Sequence, residues 1–407
     1  MIRSLSIGDP VRLRGLGLLL PTLLLTATAC SQFVPGWGGA AVASGTVFTV
    51  GGNQKVLALN ASARAKGEIF PAQGEWQYPV ENDRKAGTSF TPPVVSGGMV
   101  YAPIHQLGGN PGGPGAVLAL DAGNGSLRWR FDIPSGPSAQ IVGPVVVAGG
   151  IAYIGASDHF VYALDANTGA NKWQFRTNNK IWAGVALDGA GTAYIASLDH
   201  RVYAVDVTTG KEKWRHETGG AIASAPLFDN GRLYVGSADG FLYALDVSAR
   251  SQKVEFPARG EWRYATGSWF WATPLLDSGT LYAGAVNGEV TALDAVTGKE
   301  QWRSRVGSID AVVSSTPVLA LGILGISARD GKDGADGKVF GLDVKTGQER
   351  WRYSTDPKGP VNSALASDGS VFYAYSMNQR LVALEANNGT SRWVCRTDQT
   401  GDKLCKG

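Results

Sequence analysis

The sequence predicts an all-β chain, an eight-bladed β-propeller of four-stranded antiparallel blades. Three observations predict it. Tryptophans recur at positions 76, 129, 173, 214, 262, 302, 351 and 393, so one indole returns about every 40 to 50 residues. Six of them close one strict spacing, an acid, then Gly four residues on, then Trp four further. Examples are Asp165/Gly169/Trp173 and Glu385/Gly389/Trp393. Each period also holds four short apolar runs separated by turn residues. In the third these are Val142 to Ala148, Ile151 to Gly155, Val161 to Asp165, and Lys172 to Arg176 around Trp173. A single unit of this kind cannot bury both faces of its small sheet, so a closed ring is expected.

Along the chain, residues 1–29 read as an export signal. Arg3, Arg12 and Arg14 precede a short apolar core from Gly15 to Leu25, which is broken by Pro21 and too short to span a bilayer. Ala27-Thr28-Ala29 then lead into Cys30. The segment has the pattern of a bacterial lipobox, in which Cys30 is lipidated, with Ala27 where Leu is usual. The alternative is plain secretory cleavage after Ala29. Residues 30–38 follow as a tether, 39–398 as the ring and 399–407 as a C-terminal tail.

In the repeat, the acid ends the third strand, Gly supplies the positive φ of a tight turn, and Trp opens the outer strand where it can cover the seam between blades. Repeated carboxylates at equivalent turns are scaffold, not catalytic acids. Repeats one and five depart together. Asn60 to Trp76 and Asp246 to Trp262 are sixteen apart, and both inserts read Ser-Ala-Arg, then Phe-Pro-Ala, then Gly-Glu-Trp. In a ring of eight they lie across a diameter. Repeats two and seven carry longer loops, Ile104 to Gly115 with His105, and Arg329 to Gly337. Asp330, Asp333 and Asp336 recur every third residue in the latter, which is not calcium-loop spacing, and a solvated mobile loop is expected. His159 and His200 occupy matching tight turns and lack a third ligand for a metal. Cys395 and Cys405, ten apart in an exported chain, are expected to bridge and clip the tail to the last strand; two free thiols are the alternative.

The full chain carries 37 basic and 34 acidic residues. Loss of residues 1–29 removes three arginines and one aspartate and brings the net charge from +3 to +1. No basic stripe results, so no nucleic-acid partner is expected. No nucleophile elbow, phosphate loop or zinc spacing is present. Trp182 and Trp269-Phe270-Trp271 fall outside the repeat register, just before inner strands. They are the candidate partner-binding residues at one rim of the channel, or else a plug that seals its mouth.

Tyr162-Ala163-Leu164-Asp165, Tyr243-Ala244-Leu245-Asp246 and the Thr-Gly-x3-Trp endings resemble the quinoprotein-type propeller repeat. Eight such repeats behind a cysteine at a lipobox are similar to the BamB-like lipoproteins of outer-membrane barrel assembly. The resemblance implies a non-catalytic, lipid-anchored scaffold on the periplasmic side of the outer membrane, binding periplasmic domains of the barrel-inserting subunit. It implies no cofactor and no small-molecule substrate. Two other function classes compete. One is an exported propeller that binds another envelope partner. The other is a dehydrogenase using pyrroloquinoline quinone (PQQ) and calcium, although the chain lacks that family's adjacent cysteine pair and its long inserts.

Overall fold

The computed structural model describes residues 38–62, 70–80, 86–105, 114–136, 139–331, 336–355, 359–361, 363–399 and 405–406. The proposed signal, Cys30, Trp37 and nearly all of the tether lie outside them, as do residues 106–113 of the blade-two loop and Asp333.

Eight separate antiparallel sheets follow one another in chain order. Blade three is typical, with strands Val146–Ala148, Ile151–Gly155, Phe160–Asp165 and Asn171–Arg176, inner to outer. The third strand is buried along its middle on both faces, and only the tryptophan of the outer strand is buried among charged neighbours. Blades packed face to face require this gradient from axis to circumference. The buried apolar side chains form eight clusters, and each joins two adjacent blades. Every seam therefore has its own core.

The recurring tryptophan works at that seam. Trp129 Nε1 donates to Ala166 O of the next blade at 2.8 Å, and Trp173 to Val207 O at 2.7 Å. Seven of the eight indoles make this bond. The turn glycine of the following blade lies against the ring. At Gly389, φ is +71° and an added Cβ would sit 2.4 Å from Trp351. The glycine thus meets two demands, a left-handed turn and a close approach. The acid organises the same turn: Asp165 Oδ1 accepts from the Asn167 and Thr168 amides and from Thr168 Oγ1. The six strict repeats each carry a register shift between the third and outer strands. Blades one and five show none.

The two inserts replace that turn with a buried glutamate. Glu75 accepts from the Asn60 and Ala72 amides, and Glu261 from the Asp246 and Ala258 amides. In blade five a short helix, Val247–Ser251, is capped by Asp246, and it delivers Arg250 onto Glu261 at 2.9 Å. Phe256 and Val247 then cover Trp214, while Phe70 packs with Trp393 across the ring. Both inserts fill seams.

The structure decides how the ring closes and changes the expectations for the tail and the blade-seven loop. Blade one is complete from Ala40 onward, so the ends of the ring meet without sharing a sheet. The expected tail supplies a fifth strand, Cys405–Lys406, paired with Ser391–Arg396, and a disulfide joins Cys395 to Cys405. The expected mobile loop of blade seven is a long hairpin, Ile323–Asp330 with Asp336–Asp343, up to the pair Asp330–Asp336. Asp330 is buried and accepts from Ser308 N, Ser308 Oγ, Gly331 N and Lys338 Nζ. Burial opposes its charge, but Lys338 and these donors outweigh burial and hold its carboxyl far below the usual range. Sequence spacing alone hides such a carboxylate, because three of its four donors come from another linker and strand.

His105, at the start of the blade-two loop, is buried and stacked on Phe90, with ring centroids 3.9 Å apart. Burial pushes it down from the usual 6.5 to about 4. Between those values the unfolded chain takes up a proton that the folded chain refuses. Stability is therefore complete above pH 6.5 and falls as pH drops toward 4, by up to about 3 kcal/mol from this group. Urea titrations at stepped pH should show that decline, and His105→Phe should reduce it, leaving the share of His216, which burial also pushes down to about 4. An equal slope in the variant would assign the decline to other groups.

Candidate protein-binding rim

The linkers between blades and the turns between second and third strands share one face of the ring. Hydrogen bonds join them: Asn178 N to Asp199, Gly219 N to Asp239, and Val286 N to Trp269 O. The turn carboxylates on this face are already engaged. Tyr162, Tyr203 and Tyr243 donate their hydroxyls to Asp158, Asp199 and Asp239 at 2.5 to 2.6 Å. Burial, with Asp199 beside it, pushes the Tyr203 hydroxyl up to about 12. These tyrosines stay neutral donors and hold the turns. His159 and His200 sit at φ of +78° and +72°, and their carbonyls accept from the Thr177 and Thr218 amides. Among the described residues, no three His, Cys, Asp or Glu side chains are grouped to hold a metal ion. No helix among them is long and apolar enough to cross a membrane.

The four aromatic candidates separate into three environments. Trp182 lies on the linker from blade three to four, and Trp271 on the linker from blade five to six. Their ring centroids are nevertheless 5.8 Å apart. Linkers two seams apart come this close only over the inner strands, so the pair lies across the channel mouth. Both indoles are half-buried there. Trp269 is 45% exposed and projects outward. Phe270 corrects the sequence reading. It is 3% exposed and packs with Tyr234, Leu242, Leu281 and Leu293 between blades five and six, so no partner can reach it. Consecutive residues of an extended linker alternate sides, which sends Phe270 inward between two outward indoles.

Sequence reasoning missed Ile309, which is 76% exposed on the linker from blade six to seven. Arg305 Nη1 donates to Asn287 O at 2.6 Å and to Ile309 O at 3.5 Å. The Val286–Asn287 turn thus has Trp269 on one side and Ile309 on the other. Together with the indole pair they form an apolar crest on this face, of the kind that can hold a protein surface. The signal for Ile309 was a lone aliphatic residue between Gly307-Ser308 and Asp310, which no repeat pattern marks.

Eight small sheets, indole-locked seams and the acid-glycine-tryptophan turn define a quinoprotein-type eight-bladed propeller. The family described as outer membrane protein assembly factor BamB matches residues 71–182, 157–253 and 256–403. The chain belongs to that family. It is 26% identical over 301 residues to the outer membrane protein assembly factor BamB of Yersinia pestis, which covers 69% of this chain and 61% of that protein. It is 30% identical over 155 residues to the serine/threonine-protein kinase AfsK of Streptomyces griseus, covering 37% of this chain and only 17% of the kinase. The matches thus span less than two thirds of these relatives. Among solved structures, BamB of Moraxella catarrhalis has a TM-score of 0.61 at 19% identity, covering 84% of this chain and 94% of that one. A quinohemoprotein alcohol dehydrogenase from Pseudomonas putida HK5 has a TM-score of 0.58 at 18% identity, covering 77% and 66%. At these identities the structural likeness speaks for the fold alone.

Proposed function

We propose that this chain is a non-catalytic scaffold of outer-membrane protein assembly. It is tethered by a lipid on Cys30 after removal of residues 1–29 and faces the periplasm, where its aromatic rim holds periplasmic domains of the barrel-inserting subunit. The observation that carries the reading is the family match along most of the ring, joined to a crest in which Trp269 and Ile309 stand exposed. Tryptophan is among the residue types enriched at interface hot spots. Trp182 and Trp271 support the crest by bracing the linkers that flank blades four and five.

Affinity capture from crosslinked envelopes tests this. The barrel-inserting subunit should be recovered with the wild type, and Trp269→Ala should lower its affinity about tenfold or more. Trp269 bonds through its backbone carbonyl, so the variant keeps that contact. Equal capture by the variant would remove the rim from the interface. Consistent recovery of a different envelope component would favour an exported propeller with another partner. Dye-linked alcohol or sugar oxidation after addition of PQQ and calcium should stay at background; sustained turnover would overturn the non-catalytic reading.

A further inference from the structure

We infer that the Cys395–Cys405 disulfide is the latch that closes the ring. Seven seams are crossed by the chain itself, since the linker that leaves one outer strand continues into the next inner strand. On its way each linker docks on the second turn of the blade it enters, as Gly219 does on Asp239 and Ser308 on Asp330. The eighth seam has no such continuity. The segment after the last outer strand makes the same kind of contact with blade one without becoming part of it. Asn53 N donates to Thr397 O at 3.0 Å, Gly52 N to Thr397 Oγ1 at 3.3 Å, and Asn53 Nδ2 to Gln399 O at 3.4 Å. An added Cβ on Gly52 would come within 2.3 Å of Gln379, so the two blades meet closely here.

A chain end that makes such contacts frays unless something holds it. The disulfide supplies that hold. It ties position 395, just before the docking segment, to position 405, just after it, and folds the end back as a fifth strand on Ser391–Arg396. Both cysteines are almost completely buried, and they belong to one cluster with Leu57, Leu59, Ala61 and Phe70 of blade one and Trp393 of blade eight. The bridge therefore packs into the seam it secures. At the diametrically opposite seam, His216 stands two residues after Trp214 as Cys395 stands two after Trp393. There the chain crosses by itself, and the neighbouring insert is held by the Arg250–Glu261 pair instead of a bridge.

Hydrogen exchange on the full chain tests the latch. In Cys395→Ser/Cys405→Ser, the amides of Gly52 and Asn53 should exchange at least about tenfold faster, while Gly219, bonded across a chain-linked seam, keeps its wild-type rate. Wild type reduced with dithiothreitol until two more thiols are titrated than in the unreduced protein should show the same pattern, which keeps the comparison available if the serine pair does not accumulate. Unchanged exchange at Gly52 and Asn53, with loss confined to the 405–406 strand, would make the bridge a clip for the tail alone. An equal rise at Gly219 would make it a general stabiliser. Either result overturns the latch.

Discussion

Trp129→Ala should lower stability by about 3–5 kcal/mol, the range for removing a buried aromatic side chain. The indole is 7% exposed, its ring centroid lies 5.8 Å from that of Tyr101, and its Nε1 holds Ala166 O of blade three. Truncation empties a seam and leaves the Ala166 carbonyl with Tyr101 Oη, at 3.1 Å, as its remaining side-chain donor. Because blades stack only on their neighbours, the loss is felt first between blades two and three, and cooperative closure spreads it around the ring. Denaturant titration followed by circular dichroism measures it. Trp269→Ala, which removes an exposed indole, is the control and should stay within about 1 kcal/mol of wild type. Similar losses from both would mean that the repeated indoles do not lock the seams.

Arg250→Ala should cost a comparable amount, about 3–5 kcal/mol, because it strips the cation from a buried carboxylate. Glu261 is fully buried, and its two oxygens also hold the Asp246 and Ala258 amides. Arg250 lies over Phe256 at 5.9 Å and against His216, so its removal also loosens the cover over Trp214. The paired variant Arg250→Met/Glu261→Met should recover much of the loss, since replacing a whole buried ion pair by apolar side chains is far milder than breaking it. Denaturation midpoints of the single and double variants decide this. A single variant as stable as wild type would show that the backbone amides suffice to hold the insert.

The repeat was readable because its information is local. Strand end, turn and indole are all encoded within the nine residues from acid to tryptophan, and positive φ at the glycine and alternation along the outer strand follow from that window. Blade borders, the two unusual inserts and the seam role of tryptophan could therefore be stated before any contact was seen. The inward turn of Phe270 was not readable, since Trp269 and Trp271 on either side make the whole run look exposed. Ile309 was missed for the converse reason, as nothing in its neighbours marks a rim.

By itself the sequence determined the number of blades, the order of strands and the turn chemistry, because each depends on residues a few positions apart. Only the tertiary structure decided which aromatics face outward, that Asp330 is buried among four donors, and that the last two strand residues add a fifth strand to blade eight. Those outcomes depend on groups brought together from distant linkers, such as Trp182 with Trp271 or Asn53 with Thr397. No local periodicity carries that information, because contacts over the axis and across the closing seam exist only once the whole circle of sheets has formed.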